Sequence, residues 1–323
     1  MKQTRRDFIR ILFVGSQAAV AGRFLTTRLF AEPAPPGSSD GLNFIVFGDW
    51  GRHGETDQAE VAAQMAQTAQ ETRAKFIISV GDNFYEDGVA STDDKQWRTS
   101  FEDVYGAASL QVPWQVILGN HDYHGNCEAQ LAYSAISSRW KMPARYYVQS
   151  QPIDAATTAD FFYIDTTPMV KGYYAVSGKE KTHDQVITQD VPRQLGWFKD
   201  ALAASTAPWK IVVGHHPIYS GGEHGDTPEL IENILPLLLE HKVQAYFNGH
   251  DHDLQHLKVG ELNLFGSGAG SQVRPTKKIE QSRFAQSTSG FTAVALQAGQ
   301  MNIRMIDCHG AVVYTTAVNR VPA

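Results

Sequence analysis

Cysteine is scarce in this sequence of 323 residues, which contains only Cys127 and Cys308. The two residues form no Cys-x-x-Cys pair, so a zinc knuckle and a thioredoxin-like redox motif are excluded. In an oxidising compartment the two thiols are able to form a disulfide. The sequence does not fix the distance between their Cα atoms, so their pairing stays open at this level.

An excess of basic residues is also absent. The sequence holds 28 Lys and Arg residues against 34 Asp and Glu residues, which gives a formal net charge of -6 at pH 7. Because a chain without a basic excess lacks the electrostatic basis for binding nucleic acid, we predict no nucleic-acid partner. Hydrophobic residues make up 42% and charged residues 19% of the chain, which is typical of a globular protein.

A long uninterrupted hydrophobic run is the third feature that the sequence lacks. Residues 11–30 are moderately apolar, but two arginines interrupt them, and this makes them a poor transmembrane span. Arg5 and Arg6 precede this stretch, and an arginine pair ahead of an apolar run resembles a bacterial twin-arginine export signal. The alternative is a basic N-terminal arm with a short helix.

We therefore divide the chain into three parts. We predict an export signal over residues 1–31, a Pro- and Ser-containing linker over 32–41, and one folded domain over 42–323. The predicted export signal implies that the twin-arginine translocation machinery is a partner during export. It also predicts a periplasmic or secreted protein without a stable membrane anchor.

Short apolar runs that favour strands alternate with segments that favour helices along the rest of the sequence. We predict strands at 42–48, 75–80, 114–118, 160–164, 210–213, 243–247, 262–266, 291–297, 301–306 and 311–316. We predict helices at 56–72, 192–204 and 227–241. This alternation indicates an α/β fold, and short strands that are apolar throughout indicate sheets that are buried on both faces.

Five of the predicted strands are followed by a glycine and then by residues of metal-binding type. The motifs are GDWG at 48–51, GDNFY at 81–85, GNHD at 119–122, GHHP at 214–217 and GHDH at 249–252. Each motif alone is a weak signal, since Gly-Asp is usually a turn. Because ligands bind beyond the carboxyl ends of strands in α/β sheets, the five motifs together predict one shared crevice.

The ordered set of motifs resembles the metallophosphoesterase superfamily, and the tyrosine of GDNFY narrows the resemblance to the purple acid phosphatases. The stretch Gly119–Trp140, the tripeptide 223–225 (EHG) and the tail from Gly290 resemble the small, mammalian-type, tartrate-resistant branch. The resemblance covers most of the chain from Leu42 onward. It departs around 166–191 and 271–288.

The resemblance implies an αββα sandwich, with two packed mixed sheets flanked by helices. It implies an acid phosphatase that hydrolyses phosphate monoesters by in-line attack of a metal-bound hydroxide. The substrates would be small phosphate esters, with phosphoproteins and nucleotides among the candidates. The alternatives are a phosphodiesterase of the same superfamily, whose members usually lack the tyrosine of the second motif, and a non-catalytic metal- or phosphate-binding protein.

The resemblance also implies a binuclear metal centre of Fe(III) and a divalent ion, which is iron, zinc or manganese. Two cations about 3.5–4 Å apart need an anionic bridge, and the resemblance assigns that bridge to Asp82. The implied ferric ligands are Asp49, Asp82, Tyr85 and His252, and the implied divalent ligands are Asp82, Asn120, His215 and His250. A phenolate suits a ferric ion, whereas an amide and imidazoles suit a borderline divalent ion. The alternative for Tyr85 is core packing beside Phe84.

Two further histidines resemble the pair that acts directly on the phosphate in this family. His121 and His224 would stabilise the phosphoryl oxygens and protonate the leaving alkoxide. An imidazole is suited to this role because it is able to carry a proton in a mildly acidic medium. The alternative for His224 is an ordinary loop histidine, since glycines surround it.

The export signal generates the first testable prediction. Changing both Arg5 and Arg6 to Lys should retain the protein in the cytoplasm, because the export receptor reads the arginine pair and not the charge alone. Cell fractionation of the exported protein measures this, with Arg23→Lys/Arg28→Lys as the matched control. An unchanged periplasmic yield of the Arg5→Lys/Arg6→Lys protein would contradict the twin-arginine interpretation.

Overall fold

The computed structural model describes residues 41–175 and 181–320. The predicted export signal over 1–31 lies outside the described residues, as does the predicted linker over 32–41 except for Gly41. Within the described residues, no helix is both long enough and apolar enough to cross a membrane.

Fourteen strands lie in the described part of the chain. They are β1 (Leu42–Phe47), β2 (Phe76–Ser79), β3 (Trp114–Val116), β4 (Trp140–Lys141), β5 (Tyr147–Pro152), β6 (Thr158–Tyr163), β7 (Trp209–Val213), β8 (Ala245–Asn248), β9 (Leu254–Val259), β10 (Leu262–Ser267), β11 (Ser282–Gln286), β12 (Gly290–Leu296), β13 (Gln300–Asp307) and β14 (Val312–Asn319). The α-helices are α1 (Gln58–Thr72), α2 (Cys127–Tyr133), α3 (Lys181–Val186), α4 (Val191–Ala204), α5 (Pro228–Asn233) and α6 (Leu235–Glu240).

The strands form two sheets of seven strands each. The first sheet has the order β14-β13-β12-β1-β2-β3-β4, and the second has the order β11-β9-β10-β8-β7-β6-β5. Both sheets are mixed: β1 to β4 run parallel, as do β6, β7, β8 and β10, while the remaining neighbours pair antiparallel. Every residue of β1 is buried, as expected for a strand covered on both faces.

Three layers of apolar side chains hold the sheets and helices together. The inner layer joins the two sheets, and one outer layer joins the first sheet to α1 and α2. The other outer layer joins the second sheet to α4, α5 and α6. This arrangement of helix, sheet, sheet and helix confirms the predicted αββα sandwich.

The helix predicted over 227–241 was wrong in one respect, since the structure has two short helices there, α5 and α6, separated at Ile234. The physical reason is Pro236, which lies in the first turn of α6. Proline has no backbone N–H to donate and its ring crowds the carbonyl one turn earlier, so a continuous helix breaks at this point.

Both cysteines are buried as free thiols. Cys127 begins α2, and Cys308 directly follows β13. The question of pairing that the sequence left open is therefore settled in the structure, where the two thiols are not joined.

Phe44 occupies the centre of the inner layer. Its ring centroid lies 5.0 Å from that of Phe76, 5.4 Å from that of Phe161 and 6.4 Å from that of Phe247. Phe76 belongs to the first sheet, whereas Phe161 and Phe247 belong to the second, so Phe44 packs the two sheets against each other.

Phe44→Ala should lower the free energy of unfolding by about 3–5 kcal/mol, because it opens a cavity between the sheets. Urea unfolding measures the change, with Val312→Ala as the control, since Val312 is exposed on the outer strand β14. The control should change the free energy of unfolding by about 0.5 kcal/mol or less. Equal effects of the two substitutions would contradict the central role of Phe44.

Candidate metal centre

The five glycine-containing motifs follow the strands that lie at the middle of each sheet. Three of them follow the adjacent parallel strands β1, β2 and β3, and the other two follow the adjacent parallel strands β7 and β8. The two groups meet across the sandwich. His215 Nδ1 lies 2.9 Å from the carbonyl oxygen of Val80, and the backbone N–H of His250 donates to Asp49 Oδ2 at 3.1 Å.

The local backbone turns the polar side chains toward one another. Asp49, Asp82 and His250 all have positive φ angles, of 60°, 49° and 72°. Non-glycine residues rarely adopt this left-handed region, and such residues cluster at functional sites. Gly119 is needed for space, because a Cβ atom there would lie 2.2 Å from Asp82 Oδ1.

Three of the predicted ligands surround the hydroxyl of a fourth, Tyr85. This oxygen lies 3.0 Å from Asp49 Oδ1, 3.0 Å from Asp82 Oδ2 and 3.1 Å from His252 Nε2. A phenol has one proton to donate, so it cannot satisfy the two carboxylates and the imidazole together. The four residues are those that the resemblance assigns to one ion.

The remaining predicted ligands lie on the other side of Asp82. His215 Nε2 is 3.4 Å from Asp82 Oδ2 and 3.1 Å from Asn120 Oδ1. Ligand atoms of Asp82, His215 and His250 all lie within 4.8 Å of one another. Asp82 therefore belongs to both groups of donors.

The buried charge of this cluster fits metal ions. Asp49 and Asp82 are 0% and 1% exposed, and within residues 41–175 and 181–320 their side chains form ion pairs only with histidines. Burying carboxylates without strong cationic partners is costly. His252 Nδ1 is also buried with no hydrogen-bond partner among the described residues. The site thus combines buried carboxylates, whose ion-pair partners are histidines, with oxygen and nitrogen donors that metal ions prefer.

The pKa shifts have the same origin. Burial, together with the charges of Asp49 and Asp82, holds the pKa of Tyr85 well above its usual value. Burial opposes the charged form of Asp82, but the charges of His215 and His121 outweigh it and hold the pKa of Asp82 well below its usual range. A cation beside these side chains would stabilise both the carboxylate and the phenolate.

The imidazoles of the second sheet divide into two kinds. Burial disfavours the charged form of His215, yet Asp82 raises the pKa of His215 to about 9. Burial and the neighbouring histidines hold the pKa of His250 well below its usual value, which leaves its lone pair free for a metal ion. Binding of a metal at His215 requires loss of its proton.

The two histidines predicted to act on the phosphate lie at the edge of the cluster. His121 donates its backbone N–H to Asp82 Oδ1 at 2.7 Å, and its Nδ1 lies 2.6 Å from the carbonyl oxygen of Glu86. The ring of His224 stacks on that of His250 with the centroids 4.2 Å apart. Both side chains are partly exposed, so an incoming ester is able to reach them.

Asp122 is a residue of the site that the sequence analysis did not single out. Its buried carboxylate accepts hydrogen bonds from the backbone N–H groups of Gly119 at 2.8 Å and Asn83 at 3.0 Å, and from Gln130 at 2.7 Å. It thereby joins the loops after β2 and β3, which carry Asp82 and Asn120. Its position as the last residue of the GNHD motif was the sequence feature that could have identified it.

Two arginines beside the cluster were also missed. The guanidinium of Arg52 lies 3.9 Å from the ring centroid of Tyr85, and that of Arg274 contacts His224 Nε2. The position of Arg52 directly after GDWG was a usable signal. Arg274 lies in the segment where the sequence departs from the family pattern, so only the tertiary structure reveals it.

Comparisons with known proteins agree with this geometry. The sequence profile of the calcineurin-like phosphoesterase family matches residues 42–254. Purple acid phosphatase 4 of Arabidopsis thaliana is 37% identical over 292 residues, which cover 86% of this chain and 83% of that protein. Tartrate-resistant acid phosphatase type 5 of Homo sapiens is 35% identical over 305 residues, which cover 88% of this chain and 93% of that protein.

A solved structure extends the similarity to three dimensions. GAP50, the anchor in the inner membrane complex of Plasmodium, is similar with a TM-score of 0.75 and 28% sequence identity, over 87% of this chain and 89% of that one. The family match and the curated relatives each span most of the folded domain. The chain therefore belongs to the calcineurin-like phosphoesterase family and, within it, to the purple acid phosphatases.

Proposed function

We propose that this protein is an acid phosphatase that hydrolyses phosphate monoesters at a binuclear metal centre. The observation that carries the proposal is the position of Asp82, whose buried carboxylate is shared by two groups of metal-binding side chains. Membership of the purple acid phosphatases supports the reaction. The geometry of the cluster supports two ions and not one.

The donors suggest which residues would hold each ion. The set around Tyr85, with three hard oxygen donors and one imidazole, suits Fe(III), and the set around His215 suits divalent iron, zinc or manganese. Such ions supply a lowered pKa for a coordinated water and positive charge against the phosphoryl group. The two sets share one carboxylate, so neither is complete without Asp82.

The residues of the chain would position the ester and move the proton. His121 and His224 are the partly exposed imidazoles beside the two donor sets. They would hold the phosphoryl oxygens and deliver a proton to the leaving oxygen. Asp122 would fix the position of Asp82 relative to Asn120, because it joins the loops that carry them.

The alternatives receive less support. Tyr85, which related phosphodiesterases usually lack, touches both carboxylates of its group and is not ordinary core packing. A non-catalytic role is less favoured because all seven predicted ligand residues are present and clustered. The proposed substrates are small phosphate esters, with phosphoproteins and nucleotides as candidates. The proposed twin-arginine export to the periplasm or beyond rests on the N-terminal sequence alone.

Asp82→Ala tests the shared carboxylate. The substitution should deplete both metals and lower hydrolysis of p-nitrophenyl phosphate by more than the about 10–100-fold typical of changes outside the ligand set. His250→Ala should empty mainly one of the two sites. Metal analysis and initial rates measure these effects, with Asp103→Ala as the control because its side chain is 61% exposed.

The same assay separates the alternatives. The wild-type protein should hydrolyse p-nitrophenyl phosphate faster than bis(p-nitrophenyl) phosphate, and the reverse order would favour a phosphodiesterase. A metal-loaded protein that cleaves neither ester would favour a binding protein. Retention of two metals per chain in Asp82→Ala would show that Asp82 is not the bridge.

Tyr85→Phe tests the phenolate. A tyrosinate bound to Fe(III) produces a charge-transfer band in the visible spectrum, so the oxidised protein should be purple to pink and the variant colourless. Tyr147→Phe is the matched control, because Tyr147 is buried and its hydroxyl donates to the carbonyl oxygen of Val116. A band that persists in Tyr85→Phe at full iron occupancy would place the phenolate elsewhere.

A further inference from the structure

Two arginines elsewhere in the domain, Arg139 and Arg145, are well supplied with hydrogen-bond acceptors. Arg139 donates to the carbonyl oxygen of Tyr105 at 2.8 Å and to Glu102 Oε2 at 2.5 Å. Arg145 donates to Tyr123 Oη and to Glu128 Oε1, each at 2.9 Å. These guanidinium groups have a structural role, since their acceptors belong to the surrounding fold.

Arg274 differs, although its backbone is held firmly at the metal centre. The backbone N–H of Arg274 donates to the carbonyl oxygen of His252 at 2.9 Å, and the backbone carbonyl oxygen of Arg274 accepts from Ser287 Oγ at 2.7 Å. Its side chain is 28% exposed. The guanidinium contacts His224 Nε2, and the ring of His224 in turn stacks on His250. Arg274 is therefore connected to the proposed metal ligand His250 through the ring of His224.

Most of the hydrogen-bonding capacity of Arg274 is unused. A guanidinium has five N–H donors, and among the described residues the bond to His224 is the only hydrogen bond that this side chain makes. Glu223 is its one acidic neighbour there, at 3.8 Å from Nε to Oε2, and the Glu223 side chain is 60% exposed. A carboxylate so exposed and so distant is weakly held and is easily displaced by a stronger anion.

The loop that carries Arg274 lies against the loop that carries His224. The backbone N–H of Lys277 donates to the carbonyl oxygen of Gly221 at 3.0 Å. The backbone N–H of His224 donates to Asp251 Oδ1 at 2.9 Å, which ties the second loop to the GHDH motif. Arg274 and His224 are thus fixed together beside the metal centre.

We propose that Arg274 is a specificity residue that binds a second phosphate on the leaving side of the substrate. It would give the enzyme a preference for substrates in which the leaving group is itself a phosphate, such as nucleoside diphosphates. This inference rests on the proposed phosphatase function. The resemblance to the family supplies no role for Arg274, because the sequence departs from the family pattern in this segment.

The chemistry of the guanidinium supports this choice of ligand. Its planar fork matches two oxygens of a phosphate group and remains charged at any relevant pH. In a diphosphate a single bridging oxygen separates the reacting phosphorus from the second one. Arg274 is separated from the proposed metal ligand His250 by the ring of His224. It is therefore placed to bind the second phosphate when the reacting phosphate lies at the metal-binding side chains.

The test compares adenosine monophosphate with adenosine diphosphate. The monophosphate releases a neutral nucleoside, whereas the diphosphate releases an anionic nucleoside monophosphate. Arg274→Gln should lower kcat/KM for the diphosphate by about 10- to 100-fold more than for the monophosphate, as loss of a charge-assisted hydrogen bond predicts. Arg274→Lys should restore part of the ratio. Because each ratio is measured within one protein, changes in metal occupancy or folding cancel.

Two further variants make the test sharper. Glu223→Gln removes the competing carboxylate and should raise the ratio of diphosphate to monophosphate hydrolysis by about twofold or more. Arg283→Gln is the matched control, because this arginine is exposed on the outer strand β11 and its loss should leave the ratio unchanged.

The outcomes separate the two proposals. A wild-type protein that hydrolyses neither nucleotide nor any phosphate monoester refutes the proposed function and this inference with it. An active protein whose ratio is the same in Arg274→Gln refutes the role of Arg274 alone. An equal fall of the ratio in Arg283→Gln would show that general positive charge, and not this guanidinium, sets the preference.

Discussion

Two carboxylates buried beside a phenol and several imidazoles are the constraint on which this structure depends. Asp49 and Asp82 have no lysine or arginine partner among the described residues, and this arrangement is costly without cations. The unusual local features serve this cluster. Left-handed backbone at Asp49 and Asp82 turns the carboxylates inward, and Gly119 leaves room for one of them. Residues in this rare conformation persist where the surrounding structure holds them in place, and such residues cluster at functional sites.

The donors divide between the sheets by chemical type. The oxygen donors follow strands of the first sheet, while the imidazoles of His215, His250 and His252 follow strands of the second. Neither sheet alone presents both kinds of donor. The site therefore exists only when the two sheets are packed, and the apolar layer around Phe44 sets the distance between them. Stability of the sandwich and geometry of the metal centre are coupled for this reason.

The edge of the cluster is asymmetric. His121 lies against the carbonyl oxygen of Glu86, whose carboxylate pairs with Arg52. His224 instead contacts the guanidinium of Arg274. One imidazole thus faces acceptors and the other faces a donor.

The sequence by itself determined the α/β class, the buried strands and the order of the five motifs, because continuous apolar runs and glycine-flanked ligands are local signals. It did not reveal β4, β5, β9 or β11, of which β5 and β11 are largely polar and partly exposed. It also did not reveal the break at Pro236. It also did not reveal that Arg274 meets His224. That contact joins residues from different loops, and only the packing of the second sheet decides which loop ends lie together. Local patterns encode which residues are available, whereas tertiary structure decides which of them touch.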